Sequence, residues 1–420
     1  MQEDVRRIVE DSGMRIVLEH IPHVRSCSVG VWIGRGSRHE PPEKVGISHF
    51  LEHMVFKGTE RRNAREIASS IESVGGSIDA FTGREYTCFH ARVLDEYMDL
   101  AFDVLSDLIS SPTLNDEHME REKQVVFEEI RNMEDAPDDL VHQLYSETVW
   151  GDMPLGYPLL GTYETVRGLR SEDIRNYLHN EYIAPNFVIS VAGNIDYEAT
   201  LDLIRRNYAF LDGRNNNASG GGNGRDGEIK LENCSPVVRH LDRDCQQTHI
   251  CMGTVSFAHS DSRRYALLLL SNILGGGMSS RLFQRVREDE GLAYVVYTFQ
   301  QFYMDAGLYG VYVGTEPSQR HRAIDVVTEE FDKLLADGVT EQELEHAKNQ
   351  LKGQLLIGLE STTTRMFRLA NFELNGEGYQ PVDKVIERIE AVTPEQIYGV
   401  ARVILDPEKQ FAVSLGPERV

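Results

Sequence analysis

Long apolar runs are missing from this chain of 420 residues. None approaches the roughly 18 residues that a transmembrane helix needs, so no membrane span is expected. The opening stretch, Met1-Gln2-Glu3-Asp4-Val5-Arg6-Arg7, has no apolar signal core. Basic residues are in short supply, with 43 Lys and Arg against 67 Asp and Glu and a net charge of −24. Nucleic acid needs a basic surface and is therefore not an expected partner. The acidic balance is compatible with basic peptides, although a solvated acidic surface is its commoner meaning. Cysteine is scarce and odd in number: Cys27, Cys88, Cys234, Cys245 and Cys251, with no C-x-x-C pair. A reduced, cytoplasmic compartment fits that usage, and no histidine partner marks any of the five as catalytic. Both Gly-rich nucleotide fingerprints are absent. The run from Gly275 to Phe283 opens a helix but lacks the G-K-[ST] ending, which argues against a nucleotide enzyme.

Against these absences stands His49-Phe50-Leu51-Glu52-His53. Ile47, Phe50, Leu51, Met54 and Val55 recur with an amphipathic helical period. That places His49, Glu52 and His53 together on the other side of the helix. Two neutral imidazoles four residues apart can share one tetrahedral Zn²⁺, and the carboxylate between them can take a proton from a water. The order H-x-x-E-H is the inverse of the common H-E-x-x-H zinc motif.

A third ligand is sought in a helix expected over Asn115–Met133, capped by Asn115 and opened by Asp116 and Glu117. Its apolar stripe is Met119, Val126, Ile130 and Met133, and Glu122 and Glu129 fall inside it. A buried carboxylate is costly unless it is paired or holds a metal. Pairing with Arg121 or Lys123 is the bland alternative and suits Glu128. Glu129 is the candidate ligand, and Glu122 the carboxylate that orients a ligating histidine.

These residues carry a resemblance to the pitrilysin, or M16, zinc metallopeptidases, and in particular to their short bacterial, processing-peptidase-like members. In that family H-x-x-E-H is followed about 75 residues later by a ligating Glu, and His53 and Glu129 have that separation here. The resemblance implies zinc ligands His49, His53 and Glu129, one Zn²⁺ per chain, and Glu52 as general base. Gly75 to Gly83 is similar to the family's substrate strand, which implies peptide contacts from Ser77, Ala80, Phe81 and Thr82. Arg287 and Tyr294 resemble the family's Arg/Tyr pair, which holds the substrate backbone and supports the tetrahedral intermediate.

The chain's length suggests two or more domains. A Gly/Asn-rich segment, 213–227, reads as a linker between a zinc-bearing domain, 1–212, and a second domain, 228–420. The halves echo one another: Leu169–Ile174 leads through a helix to Phe187–Gly193, and Val392–Ile397 through a helix to Phe411–Gly416. The expected class is α+β, with two homologous domains, each a largely antiparallel sheet with helices packed on one face. The second half lacks the zinc motif and has an ordinary core helix from Tyr265 to Gly275 at the equivalent place. The expected function is a zinc-dependent endopeptidase acting on peptides or unfolded segments, assembled as a homodimer with composite sites. A non-catalytic structural or partner subunit is the alternative.

Overall fold

A computed structural model describes residues 3–212 and 236–418. The expected linker and Cys234 lie outside the described residues. The chain falls into two units, each discontinuous in sequence. The first gathers Met1–Ile130, Tyr157–Asp226 and Gly358–Pro381; the second gathers Arg131–Gly156, Gly227–Ile357 and Val382–Val420. The division expected between 1–212 and 228–420 is therefore crossed twice, because each unit takes one helical segment from the other half of the sequence.

The first unit is built on six strands: β1 Asp4–Val9, β2 Arg15–His20, β3 Ser26–Ile33, β4 Ser77–Thr82, β5 Thr87–Leu94 and β6 Phe187–Gly193. Their order is β1-β2-β6-β3-β5-β4. Every neighbouring pair is antiparallel except β2 and β6. The second unit has five strands: β7 Val238–Asp242, β8 Thr248–Ser256, β9 Ala293–Phe302, β10 Gly307–Thr315 and β11 Phe411–Gly416. Their order is β7-β11-β8-β10-β9, again with a single parallel pair, β11 and β7. The α+β class and the internal repetition both emerge from this arrangement.

Strand alternation explains the layering. In β3, Val29, Val31 and Ile33 enter a core shared with Phe50, Leu51 and Met54 of the Ile47–Val55 helix and Leu105 and Leu108 of the Met98–Ser110 helix. Trp32 points to the opposite face, where Met366, Leu369 and Ala370 of the Thr362–Leu374 helix cover it. A Cβ on Gly30 would come within 2.3 Å of Met366 Sδ, so this helix lies directly on the strand. The same face is pinned by polar contacts: Ser28 to Thr362 at 2.9 Å, Arg7 to Glu373 at 2.7 Å, and a buried Arg365–Glu19 pair.

The second unit repeats the plan. Leu267, Leu270 and Leu274 of the Arg264–Gly275 helix pack with Ile250, Met252, Val311 and Val313 on one face. Val141, Tyr145 and Trp150 of the Pro137–Trp150 helix cover Cys251, Leu308 and Val413 on the other. Each sheet is thus covered on both faces, one face more than the sequence reading expected. No described helix is long and apolar enough to cross a membrane.

The covering helix of the first unit yields a prediction. Met366 and Leu369 are both fully buried, and burial of two such side chains is worth about 3–6 kcal/mol. That rivals the net stability of a domain, about 5–15 kcal/mol. Residues 1–212 expressed alone should therefore be aggregation-prone or unfold well below the whole chain, and co-expressed residues 228–420 should restore a soluble complex. A monomeric 1–212 fragment with the full chain's unfolding midpoint would contradict the role given to that helix.

Candidate metal centre

The Ile47–Val55 helix is set by its two sides. Ile47, Phe50, Leu51, Met54 and Val55 are each no more than 1% exposed, while His49, Glu52 and His53 are only partly buried. Its start is fixed by Gly46, whose φ of 94° is left-handed. A Cβ there would lie 2.8 Å from Gly161 Cα, so both conformation and space demand glycine. Glu40, buried, closes this end. Its Oε2 accepts from Gly46 N–H at 2.6 Å and its Oε1 from Ser48 N–H at 2.8 Å. These donors would otherwise be unsatisfied, and a carboxylate suits the positive end of the helix. Burial pushes the Glu40 carboxyl up to about 7, against the pull of those hydrogen bonds.

The helix expected at Asn115–Met133 runs over Asp116–Asp135, with Met119, Glu122, Val126 and Ile130 buried along one side. It carries Glu122 and Glu129 to the two histidines. Donor atoms of His49, His53 and Glu129 lie within 4.8 Å of one another, the one such His/Cys/Asp/Glu cluster among the described residues. Glu129 Oε2 is 3.7 Å from His49 Nε2 and 3.6 Å from His53 Nε2.

Those spacings are too long for hydrogen bonds, and Glu129 Oε2 is buried without one. They suit an ion held between the atoms. Two bonds of about 2.1 Å meeting at a roughly tetrahedral angle span about 3.4 Å. The donor set, two imidazoles and a carboxylate, is one that zinc takes.

The protonation state of His49 agrees with ligation. Burial, reinforced by His53, pushes the His49 imidazole down to about 3, so it is neutral. Burial also lowers His53, but its hydrogen bond to Glu122 and the charge of Glu129 outweigh this, and the net shift is upward. His53 Nδ1 lies 2.8 Å from Glu122 Oε1, and Lys57 Nζ lies 2.8 Å from Glu122 Oε2. Burial would raise the Glu122 carboxyl, but His53 and Lys57 together bring it below its ordinary value. Glu122 is therefore an acceptor and His53 Nδ1 donates to it, which turns His53 Nε2 toward Glu129. Lys57→Met should leave Glu122 without its cation and weaken zinc binding about 10- to 100-fold. Competition against a chromogenic chelator measures this, and wild-type affinity would show that Lys57 has no part in the centre.

Glu52 faces the same centre. Its Oε2 accepts a hydrogen bond of 2.6 Å from Thr82 Oγ1, at the end of β4. Burial raises the Glu52 carboxyl, and the opposing effects of Thr82 and His53 do not cancel it. An upward shift moves a carboxylate toward the range useful for a general base.

The other expected contact residues are placed as follows. β4 pairs only with β5 and forms the edge of its sheet among the described residues. Ser77 is exposed there, Ala80 and Phe81 are partly buried, and Thr82 is buried. The Phe81 ring packs against Trp32 at 5.8 Å and Phe367 at 5.7 Å, on the outer face of the sheet. Arg287 and Tyr294 belong to the second unit and touch each other. The Arg287 guanidinium lies 4.4 Å over the Tyr294 ring and 4.8 Å over Phe283. Tyr294 is 72% exposed. It is skipped where Gly314 pairs with Val295 and Thr315 with Ala293, a bulge that turns its side chain outward. Glu40, Lys57 and the Thr82–Glu52 bond were not foreseen. Lys57 sits four residues beyond His53, and that spacing is the one local signal that could have found it.

Comparison with known proteins shows the family. The family profile for insulinase, peptidase family M16, matches residues 15–163, and that for the peptidase M16 inactive domain matches residues 168–351. The chain is 43% identical to the uncharacterized zinc protease YmxG of Bacillus subtilis, over 97% of this chain and 98% of that one. It is 39% identical to an uncharacterized zinc protease of Streptomyces coelicolor, over 98% and 90% of the two chains. Among solved structures, a protease from Helicobacter pylori superposes with a TM-score of 0.92 at 20% identity, covering 99% of this chain and all of the other. On the family matches and these full-length relatives, the chain belongs to the M16 peptidase family.

Proposed function

We propose that this protein is a zinc-dependent endopeptidase that cuts peptides or unfolded segments, with His49, His53 and Glu129 as ligands of one ion per chain. The observation that carries the reading is the buried, hydrogen-bond-free Glu129 Oε2 facing two imidazole nitrogens, with Glu52 beside them. Bound there, zinc supplies a water acidified to a pKa near 7 and a Lewis acid for a carbonyl. Glu52 accepts the proton of the attacking water and returns it to the leaving amine. The free edge of β4 is suited to pairing with an extended peptide. A non-catalytic subunit would have no use for this set of donors. A mixture of unstructured peptides incubated with the purified protein should be cut at internal bonds, and a chelator should abolish the cuts seen by mass spectrometry. Cutting that persists after complete zinc removal would overturn the reading.

Arg287 and Tyr294 offer a cation and a phenol suited to a developing oxyanion. The reading assigns them to the zinc site of a second copy in a two-fold homodimer. Glu52→Gln and Tyr294→Phe should each be nearly inactive alone. Mixed with time for subunit exchange, they should regain activity, since one of the two sites then has both groups intact. No recovery despite demonstrated exchange would place all groups of a site in one chain.

A further inference from the structure

Thr82 connects two parts of the site that the proposed function treats separately, the edge strand and the base. Its hydroxyl is the only hydrogen-bond partner of the Glu52 carboxylate among the described residues, at 2.6 Å. The strand end that carries it is held firmly. Thr82 pairs with Thr87 across the hairpin, and Gly83 N–H closes the turn on Tyr86 O at 2.7 Å. The turn is gripped in its own backbone by the preceding loop: Ser37 N–H donates to Gly83 O at 3.2 Å and Arg38 N–H to Arg84 O at 2.9 Å. A Cβ on Gly36 would lie 2.2 Å from Gly83 O, so loop and turn are in direct contact. Thr87 Oγ1 adds a bond to Arg35 O at 3.0 Å. Thr82 is β-branched, which further restricts the direction of its hydroxyl, and it is only 7% exposed.

We propose that Thr82 is a positioning residue for the base, its hydroxyl fixing Glu52 Oε2 so that Oε1 is presented to the attacking water. The inference rests on the peptidase reading and adds a residue to it. A glutamate side chain has three rotatable bonds, and a freely turning carboxylate would seldom face the water correctly. One bond to a rigid strand end removes most of that freedom before substrate arrives, which is how positioning lowers a barrier. It also ties the base to the strand proposed to hold the peptide, so that the two keep their spacing.

The test compares Thr82→Val, which loses only the hydroxyl, with Thr82→Ser, which keeps it, in the full-length zinc-loaded protein. Thr82→Val should lower kcat about 10- to 100-fold, with KM and zinc content unchanged, and Thr82→Ser should recover most of the loss. Crystal structures of the three proteins give a readout independent of turnover. Glu52 should occupy one rotamer in the wild type and in Thr82→Ser, and several in Thr82→Val. Wild-type kcat in Thr82→Val with a single Glu52 rotamer would overturn the proposal. So would a loss of kcat that merely follows a loss of zinc or of folded protein. A wild type inactive on every peptide would overturn the peptidase reading, and the rotamer comparison alone would then decide the role of Thr82.

Discussion

Glu129→Gln should strip the protein of zinc. Glu129 is the one carboxylate whose buried oxygen lies at 3.6–3.7 Å from both imidazole nitrogens. A neutral amide oxygen is a far poorer donor to a dication, and two histidines alone leave the ion half-solvated. Removing a partner that only orients a ligand costs about 10- to 100-fold in affinity, so removing the ligand itself should cost more than about 100-fold. The fold should tolerate the change, because the side chain is 36% exposed and carries no hydrogen bond at Oε2. Stability of the metal-free protein should move by no more than about 0.5 kcal/mol. Elemental analysis after gel filtration, together with thermal unfolding of the metal-free proteins, separates the two effects. Full zinc occupancy in Glu129→Gln would refute the ligand assignment.

Glu52→Gln should have the opposite signature, with zinc retained and turnover lost. The substitution keeps the shape of the side chain and an oxygen able to accept from Thr82. It removes the site for a proton. General base catalysis contributes about 10²- to 10⁴-fold, and kcat should fall by that amount. Peptide hydrolysis measured alongside zinc content tests this. An active Glu52→Gln protein would place the base elsewhere, and a zinc-free one would make Glu52 a structural part of the centre.

The centre was legible in the sequence because its residues obey local rules. The spacing of His49, Glu52 and His53 against Ile47, Phe50, Leu51, Met54 and Val55 fixes one face of a helix. Glu129 was legible as a carboxylate stranded in an apolar stripe. Strands β6 and β11 occupy the residues expected for them, since each is a short apolar run ended by Gly. The helix that follows β5 starts only at Met98, because Leu94 still pairs in β5 and Asp95–Tyr97 form a tighter turn before it. Other features depend on contacts distant in sequence. Nothing local in Pro137–Trp150 or Thr362–Leu374 says which sheet an amphipathic helix will cover, and each joins the unit built mainly from the other half. Glu40 meets Gly46 and Ser48 across a short irregular turn, a near contact that no helical or strand period marks. The family resemblance implied Thr82 as a substrate contact, and its bond to Glu52 emerges only from the fold.

The most direct test of the account is where a zinc ion sits in crystals of the protein. Anomalous diffraction measured on both sides of the zinc absorption edge should show one strong peak per chain. It should lie about 2.0–2.2 Å from His49 Nε2, His53 Nε2 and a Glu129 carboxylate oxygen, and it should vanish in Glu129→Gln. A zinc-loaded crystal with no peak there, or with its peak on other residues, would contradict the account.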